Sequence, residues 1–292
     1  MSTIRKAERK RAKLRMGISA PSGAGKTYSA LLLAFGLGGK VGLIDTEHGS
    51  GDLYAHLGEY DIISIEAPYS VSKYLSAIKE FEAAGYTTVI IDSLSHAWAG
   101  DGGLLDKQGK MADRGVNSFA AWRTITPDHN ALVEAMLQSP MHIIATMRAK
   151  QEYILETNDK GKQQPKKVGM APVQREGMEY EFTVMLDIDM QHIASASKDR
   201  TSLFDGQFFK VTSQTGETLL QWLETGIEPP KPEYITQDQV TVLTDLIKEV
   251  KADAEAYKTH FGVPSLSAIT AELYPRAVAA LERKRTPQTA EA

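Results

Sequence analysis

The segment Ala20-Pro-Ser-Gly-Ala-Gly-Lys-Thr27 joins an apolar run, Leu14 to Ala20, to a helix-forming run, Tyr28-Ser-Ala-Leu-Leu-Leu-Ala-Phe35. A strand that turns through glycines directly into a helix must pack against that helix, which points to an open α/β sheet. Gly23 and Gly25 let the turn curl so that backbone N–H groups point inward, and the helix starting near Lys26 adds its positive dipole end. Lys26 is then placed to reach the β- and γ-phosphates of a nucleotide, and Thr27 to ligate Mg²⁺. Ser22, Gly23, Ala24, Gly25, Lys26, Thr27 and Tyr28 are the expected nucleotide contacts. Ala20 stands where the usual pattern has glycine, and its methyl fits if the residue stays extended.

The 292 residues contain no cysteine, which excludes disulfides and thiolate metal sites, and the seven histidines form no His-Glu-x-x-His pair. No apolar run approaches the ~18 residues needed to span a bilayer. The basic N-terminus runs into a strand where a signal peptide would need its apolar segment. A soluble, cytoplasmic protein without a membrane partner is expected. Net charge is −4, yet the basic residues cluster. Arg5, Lys6, Arg9, Lys10, Arg11, Lys13 and Arg15 are set against one acid, Glu8, and a second basic stretch runs from Arg148 to Arg175. Such clusters suit a polyanion; the alternative for the first is a solvated face or an Arg-rich targeting segment.

Residues 1–13 read as a basic arm, 14–226 as the α/β core, 227–235 as a stiff linker around Pro229-Pro-Lys-Pro232, 236–285 as a helical module and 286–292 as a tail. The arm has helix-forming residues without an apolar face, and is expected to become helical on a partner. Lys40 to Ile44 reads as a strand beside the phosphate-loop strand, ending in Asp45-Thr-Glu-His48 at the mouth of the sheet. There Glu47 is either a general base that orients water or a loop carboxylate capping a helix. Tyr54 is placed to cover a base.

Asp61 to Ile65 reads as a strand, and Val71, Tyr74, Leu75, Ile78 and Phe81 mark a covering helix. Thr87-Thr-Val-Ile-Ile-Asp92 reads as a buried parallel strand that would deliver a carboxylate to Mg²⁺. Gly100 to Asn117 lacks periodicity and is expected to be a long loop; Phe119 to Gln138 reads as a helix and Met141 to Thr146 as a strand. From Gln151 to Gly177 the composition predicts a segment that is mobile alone and orders on a polyanion. Lys150, Lys160, Lys162, Lys166, Lys167 and Arg175 are its expected phosphate contacts. Glu181–Ile188, Gln191–Ser195 and Gly206–Val211 read as strands, and Glu217 to Leu223 as a short helix. Lys198 and Arg200 fall on the connection after the second of these strands, as turn cations in water or as groups reaching a neighbouring subunit's triphosphate. Thr236-x-x-Gln239 is a capping box before an amphipathic helix.

Taken in order, these motifs resemble RecA-type recombination ATPases, and more closely the short RecA-like single-strand annealing and recombination ATPases of bacteriophages. The likeness covers roughly residues 14–224. It rests on Ala20–Thr27, Ile44-Asp-Thr-Glu-His48, Ile90-Ile-Asp-Ser93, the strand ending at Thr146, and Glu179 to Ile188 after a basic loop. It implies a RecA-like core, a mostly parallel twisted sheet flanked by helices, with a small C-terminal helical module. It further implies Mg-ATP hydrolysis at subunit interfaces of a filament or ring, stimulated by single-stranded DNA, in a bacterial host's cytoplasm. Glu47 would be the catalytic glutamate, Tyr54 the ring on adenine, Lys198 and Arg200 the basic pair on a neighbour's γ-phosphate, and the stretch after Lys150 the second DNA loop.

Thr146 stands where RecA has a glutamine that senses the γ-phosphate, and Arg148 is the nearby substitute. With no large domain ahead of the core, the basic arm is the expected tie between subunits. A single-strand-binding or other recombination protein is the candidate partner of the C-terminal module. The rival readings are a hexameric DNA motor or helicase loader of the same fold, and a nucleotide-dependent switch or phosphotransferase that acts without DNA.

Overall fold

Every residue of the first strand, β1 (Arg15–Ala20), is buried, as expected of a strand covered on both faces. The computed structural model describes residues 6–157, 163–227 and 233–284. After β1 come α1 (Lys26–Leu37), β2 (Val41–Asp45), a 3₁₀ turn (Ser50–Leu57), β3 (Asp61–Ser64), α2 (Val71–Ala83), β4 (Thr88–Asp92), α3 (Leu94–Ala99), α4 (Leu104–Asp113) and α5 (Ser118–Gln138). The chain continues through β5 (His142–Thr157), β6 (Gln163–Pro172), a second 3₁₀ turn (Met178–Glu181), β7 (Val184–Ile188), β8 (Ala194–Asp199), β9 (Phe208–Phe209) and α6 (Ser213–Glu224). The last helices are α7 (Gln237–Glu249), α8 (Ala254–Phe261) and α9 (Tyr274–Glu282). Among the described residues no helix is long and apolar enough to cross a membrane.

The sheet runs β3-β2-β4-β5-β1-β7-β8-β9, with β6 paired to β5 outside that row. From β3 to β7 all pairings are parallel, and β8, β9 and the β5–β6 ribbon add antiparallel ones. Alternating strand residues supply two apolar layers: Ile91 and Ile143 pack with Tyr74, Ile78 and Leu132 on one face, while Ile90 and Ile144 pack with Leu31, Leu33 and Leu219 on the other. α1 and α6 cross so closely that a Cβ at Gly36 would lie 2.0 Å from the Ser213 carbonyl, and one at Gly216 would lie 2.3 Å from the Leu33 carbonyl.

The chain divides into two compact units between Ile227 and Glu228. The second has its own apolar centre around Leu243, Ile247, Tyr257, Ile269 and Leu281. Within it, Thr236 and Gln239 close both bonds of a capping box at the start of α7, and the Tyr257 hydroxyl donates to Ala277 O at 2.7 Å.

Several expectations are corrected. β2 does not adjoin β1, because β4 and β5 stand between them. The expected loop from Gly100 to Asn117 contains α4, which has a single buried residue, Leu104, and so no apolar period to read. Polar contacts hold it: Asp106 accepts from Gly102 N at 2.8 Å, and Lys107 reaches Asp128 on α5 at 3.0 Å. Of the stretch after Gln151 expected to be mobile, residues 151–157 and 163–172 pair as a two-stranded ribbon, from Ala149↔Pro172 to Thr157↔Gln163. A ribbon satisfies its backbone by pairing and needs no apolar face.

Two further elements move along the chain. β8 lies later than expected, so Lys198 sits on a strand. α6 begins at Ser213, four residues early, because Gly216 hides inside the contact with α1.

Some of the basic N-terminal residues serve the core. Arg9 and Arg11 exchange backbone bonds with Ile227, and the Arg9 guanidinium lies 3.9 Å from the centre of the Trp222 ring. Residues 9–11 are thus extended along their own chain. Arg15 is buried and donates to the carbonyls of Leu14, Leu137, Ser139 and Met141, closing the C-terminal end of α5.

Candidate functional site

The parallel strands end along one rim, with Asp45 level with Asp92 and Ala20 level with Arg148. In an open α/β sheet, ligands bind past such a rim. Gly23 and Gly25 carry the turn there at φ of 82° and 88°, a region that residues with a Cβ rarely enter. Lys26 opens α1 and folds back over the turn, donating to Pro21 O at 3.1 Å and Ala20 O at 3.3 Å. Burial pulls its pKa below the ordinary lysine value, partly offset by Asp92 and Glu47.

Asp92 is 1% exposed. One of its oxygens accepts from Thr27 Oγ1 and the other from Thr146 Oγ1, both at 2.5 Å. Burial raises its carboxyl above the usual range, and the two hydroxyls only partly offset this. One carboxylate and one hydroxyl form a hard, oxygen-only donor set. That set suits Mg²⁺, which takes few protein ligands and fills its shell with water and substrate phosphates. Thr146 is fully buried behind Asp92, so its hydroxyl orients that carboxylate. Two residues further on, Arg148 lines the cleft, with Ala149 beside it.

Glu47 faces the same cleft of about 530 Å³, together with Lys26, Thr27, Asp92 and Arg148. The loop that carries it is shaped by Asp45, whose oxygens accept from Glu47 N at 2.6 Å and Gly51 N at 3.3 Å. Arg148 Nε donates to Glu47 Oε1 at 2.9 Å and its Nη2 donates to Oε2, while the Ser93 hydroxyl donates to Oε1 at 3.0 Å. Burial pushes the Glu47 carboxyl up, but Arg148 and Ser93 outweigh it and hold the pKa below the usual range. Behind it, His96 stacks on Tyr69 at 4.6 Å between ring centres and shares a 2.7 Å contact with Thr46 Oγ1. Burial depresses the pKa of His96. Thr46 and Ser93 stand inside the sequence motifs without a role of their own there, and His96 carries no sequence signal, since small polar residues and a lone histidine after an aspartate have no diagnostic spacing.

Tyr54 separates this cleft from a second one of about 430 Å³, lined also by Tyr28, His192 and Lys210. The two tyrosine rings meet edge to face, 6.1 Å apart. Two aromatic rings beside a phosphate-sized cleft can take a nucleobase.

Other expected residues lie elsewhere. Lys198 and Arg200 are at the opposite end of the sheet, where β8 pairs with the start of β7. There Lys198 donates to Glu179 O at 3.0 Å and Tyr180 O at 2.5 Å, and Arg200 to Tyr180 O at 3.1 Å. Lys150 is exposed at the foot of the ribbon, and the Arg175 guanidinium lies 5.9 Å from the Trp122 ring centre. Lys166 and Lys167 pair through their backbones with Ile154 and Tyr153. Lys160 and Lys162 lie outside the described residues.

A glycine turn, a lysine over it and a threonine–aspartate pair, set on parallel strands in this order, define the P-loop class of nucleotide hydrolases. Within that class, the profile of a family described as AAA domain matches residues 12–220, and the chain belongs to this family of ATPase domains. Comparison with curated proteins finds no match.

Proposed function

We propose that this protein hydrolyses ATP in coupling with single-stranded DNA, as a homo-oligomeric recombination or annealing ATPase of phage type acting in the cytoplasm. The observation that carries this reading is the Glu47–Arg148 ion pair. Arg148 stands at the rim of the sheet, one residue before the β5–β6 ribbon begins at Ala149. A polyanion that moves the ribbon therefore moves the guanidinium that occupies the carboxylate.

In this reading the loop N–H groups and Lys26 hold the phosphates, and Glu47 orients and deprotonates the attacking water. Thr27 and Asp92 would hold Mg²⁺, which supplies positive charge to the phosphate oxygens. Arg148 turns from Glu47 to the γ-phosphate, freeing the carboxylate as the charge it neutralises develops. Lys198 and Arg200, remote from their own chain's cleft, serve a neighbouring subunit. Lys150, Lys160, Lys162, Lys166, Lys167 and Arg175 contact DNA phosphates with little sequence preference.

The test is DNA affinity across a salt series for Lys166→Ala combined with Lys167→Ala. Losing two phosphate contacts lowers the slope of log affinity against log salt by about 1.4. An unchanged affinity and slope would contradict the placement of DNA on the ribbon.

A further inference from the structure

The second cleft is bordered by His192, on the turn between β7 and β8. Asp189 Oδ1 accepts from Gln191 N and Ile193 N, both at 2.9 Å, and the turn holds His192 at φ 63°. His192 Nδ1 lies 3.1 Å from the Ala24 carbonyl of the phosphate loop. A carbonyl only accepts, so this nitrogen carries the proton, and in the neutral ring Nε2 is left as an acceptor. Lys210, which only donates, lines the same cleft as His192, Tyr28 and Tyr54. The cleft thus combines two aromatic rings, one acceptor and one donor.

We propose that His192 and Lys210 select adenine over guanine, an inference that rests on the nucleotide-hydrolase reading above. His192 Nε2 accepts from the 6-amino group, and Lys210 donates to the ring nitrogen beside it. Adenine offers a donor next to an acceptor, whereas guanine presents O6, a second acceptor, where the amino group would be. Against Nε2 that oxygen meets a lone pair and stays unmatched. His192 therefore has two tasks: Nδ1 braces the phosphate loop and Nε2 reads the base.

The experiment is competition of ATP, GTP and purine riboside triphosphate, which lacks the amino group, against a ribose-labelled fluorescent ATP. It uses the full-length protein with Mg²⁺ at mildly alkaline pH. The wild type binds ATP about tenfold more tightly than either competitor, the effect of one matched hydrogen bond. His192→Asn keeps an N–H for the Ala24 carbonyl and tolerates the positive φ, but has no atom at the Nε2 position. In that variant ATP falls to the affinity of purine riboside triphosphate, whose own affinity is unchanged. Lys210→Met weakens both alike, since both keep the ring nitrogens. Equal wild-type affinities for ATP and purine riboside triphosphate, or a His192→Asn variant that keeps the preference, would overturn base selection while leaving the nucleotide site standing. If no triphosphate competes, and Lys26→Ala behaves as the wild type does, both readings fall together.

Discussion

Glu47 sits between two demands. Arg148 binds both of its oxygens and Ser93 binds one, which keeps the carboxylate ionised and fills three of its about four acceptor sites. In the proposed mechanism Arg148 turns to the γ-phosphate and so frees Glu47 for the attacking water. Glu47→Gln should retain nucleotide affinity within a few-fold while single-turnover hydrolysis falls by about 10² or more. Loss of binding in this variant would mean that the residue holds the fold or the phosphates instead.

A second residue ties stability to pH. His142 Nδ1 accepts from Leu14 N at 3.0 Å, and burial, with Lys13 and Arg15 nearby, pushes its pKa from 6.5 down to about 3. The unfolded chain takes up the proton first, so stability present above pH 6.5 is lost as pH falls toward 3. Within that window the loss is on the order of 1.4 kcal/mol per pH unit. His142→Asn keeps an acceptor for Leu14 and cannot titrate. Urea unfolding at two acidic pH values should show a shallower dependence for the variant, and equal slopes would rule the assignment out.

At the level of elements, the α1–α6 crossing depends on Gly36 and Gly216, each facing a carbonyl of the other helix. Gly216→Ala should destabilise the core by about 1–3 kcal/mol through overpacking, despite the better helix propensity of alanine. A chemical-denaturation midpoint equal to the wild type's would refute so tight a crossing. The same glycine explains why α6 was only partly legible in the sequence: it looks like a helix breaker, and its packing reason lies in another helix. Elements whose signal is local were readable, among them β1, β4, α2 and the Thr236–Gln239 cap, because apolar period and capping chemistry are carried by neighbouring residues. α4 and the β5–β6 ribbon were not, since polar contacts and strand pairing hold them without an apolar stripe. For the candidate site, the phosphate loop and Asp92 stood out by spacing. The contacts between Asp92 and Thr146, and between Glu47 and Arg148, appear only when β5 is inserted between β4 and β1.

Across the whole molecule, that insertion connects the chemistry to the surface. β5 carries Thr146 against Asp92, Arg148 against Glu47, and then leaves the sheet as one strand of the ribbon. A single strand thus runs from Asp92, the proposed metal ligand, past Glu47 in the cleft to the proposed DNA contacts. The most direct test of this coupling is steady-state ATP hydrolysis by the full-length protein while single-stranded DNA is titrated in at low and moderate salt. The account predicts a rate that rises to saturation with DNA, with a half-saturation point that moves to higher DNA concentration as salt increases. A rate indifferent to DNA under conditions where DNA is bound would contradict it.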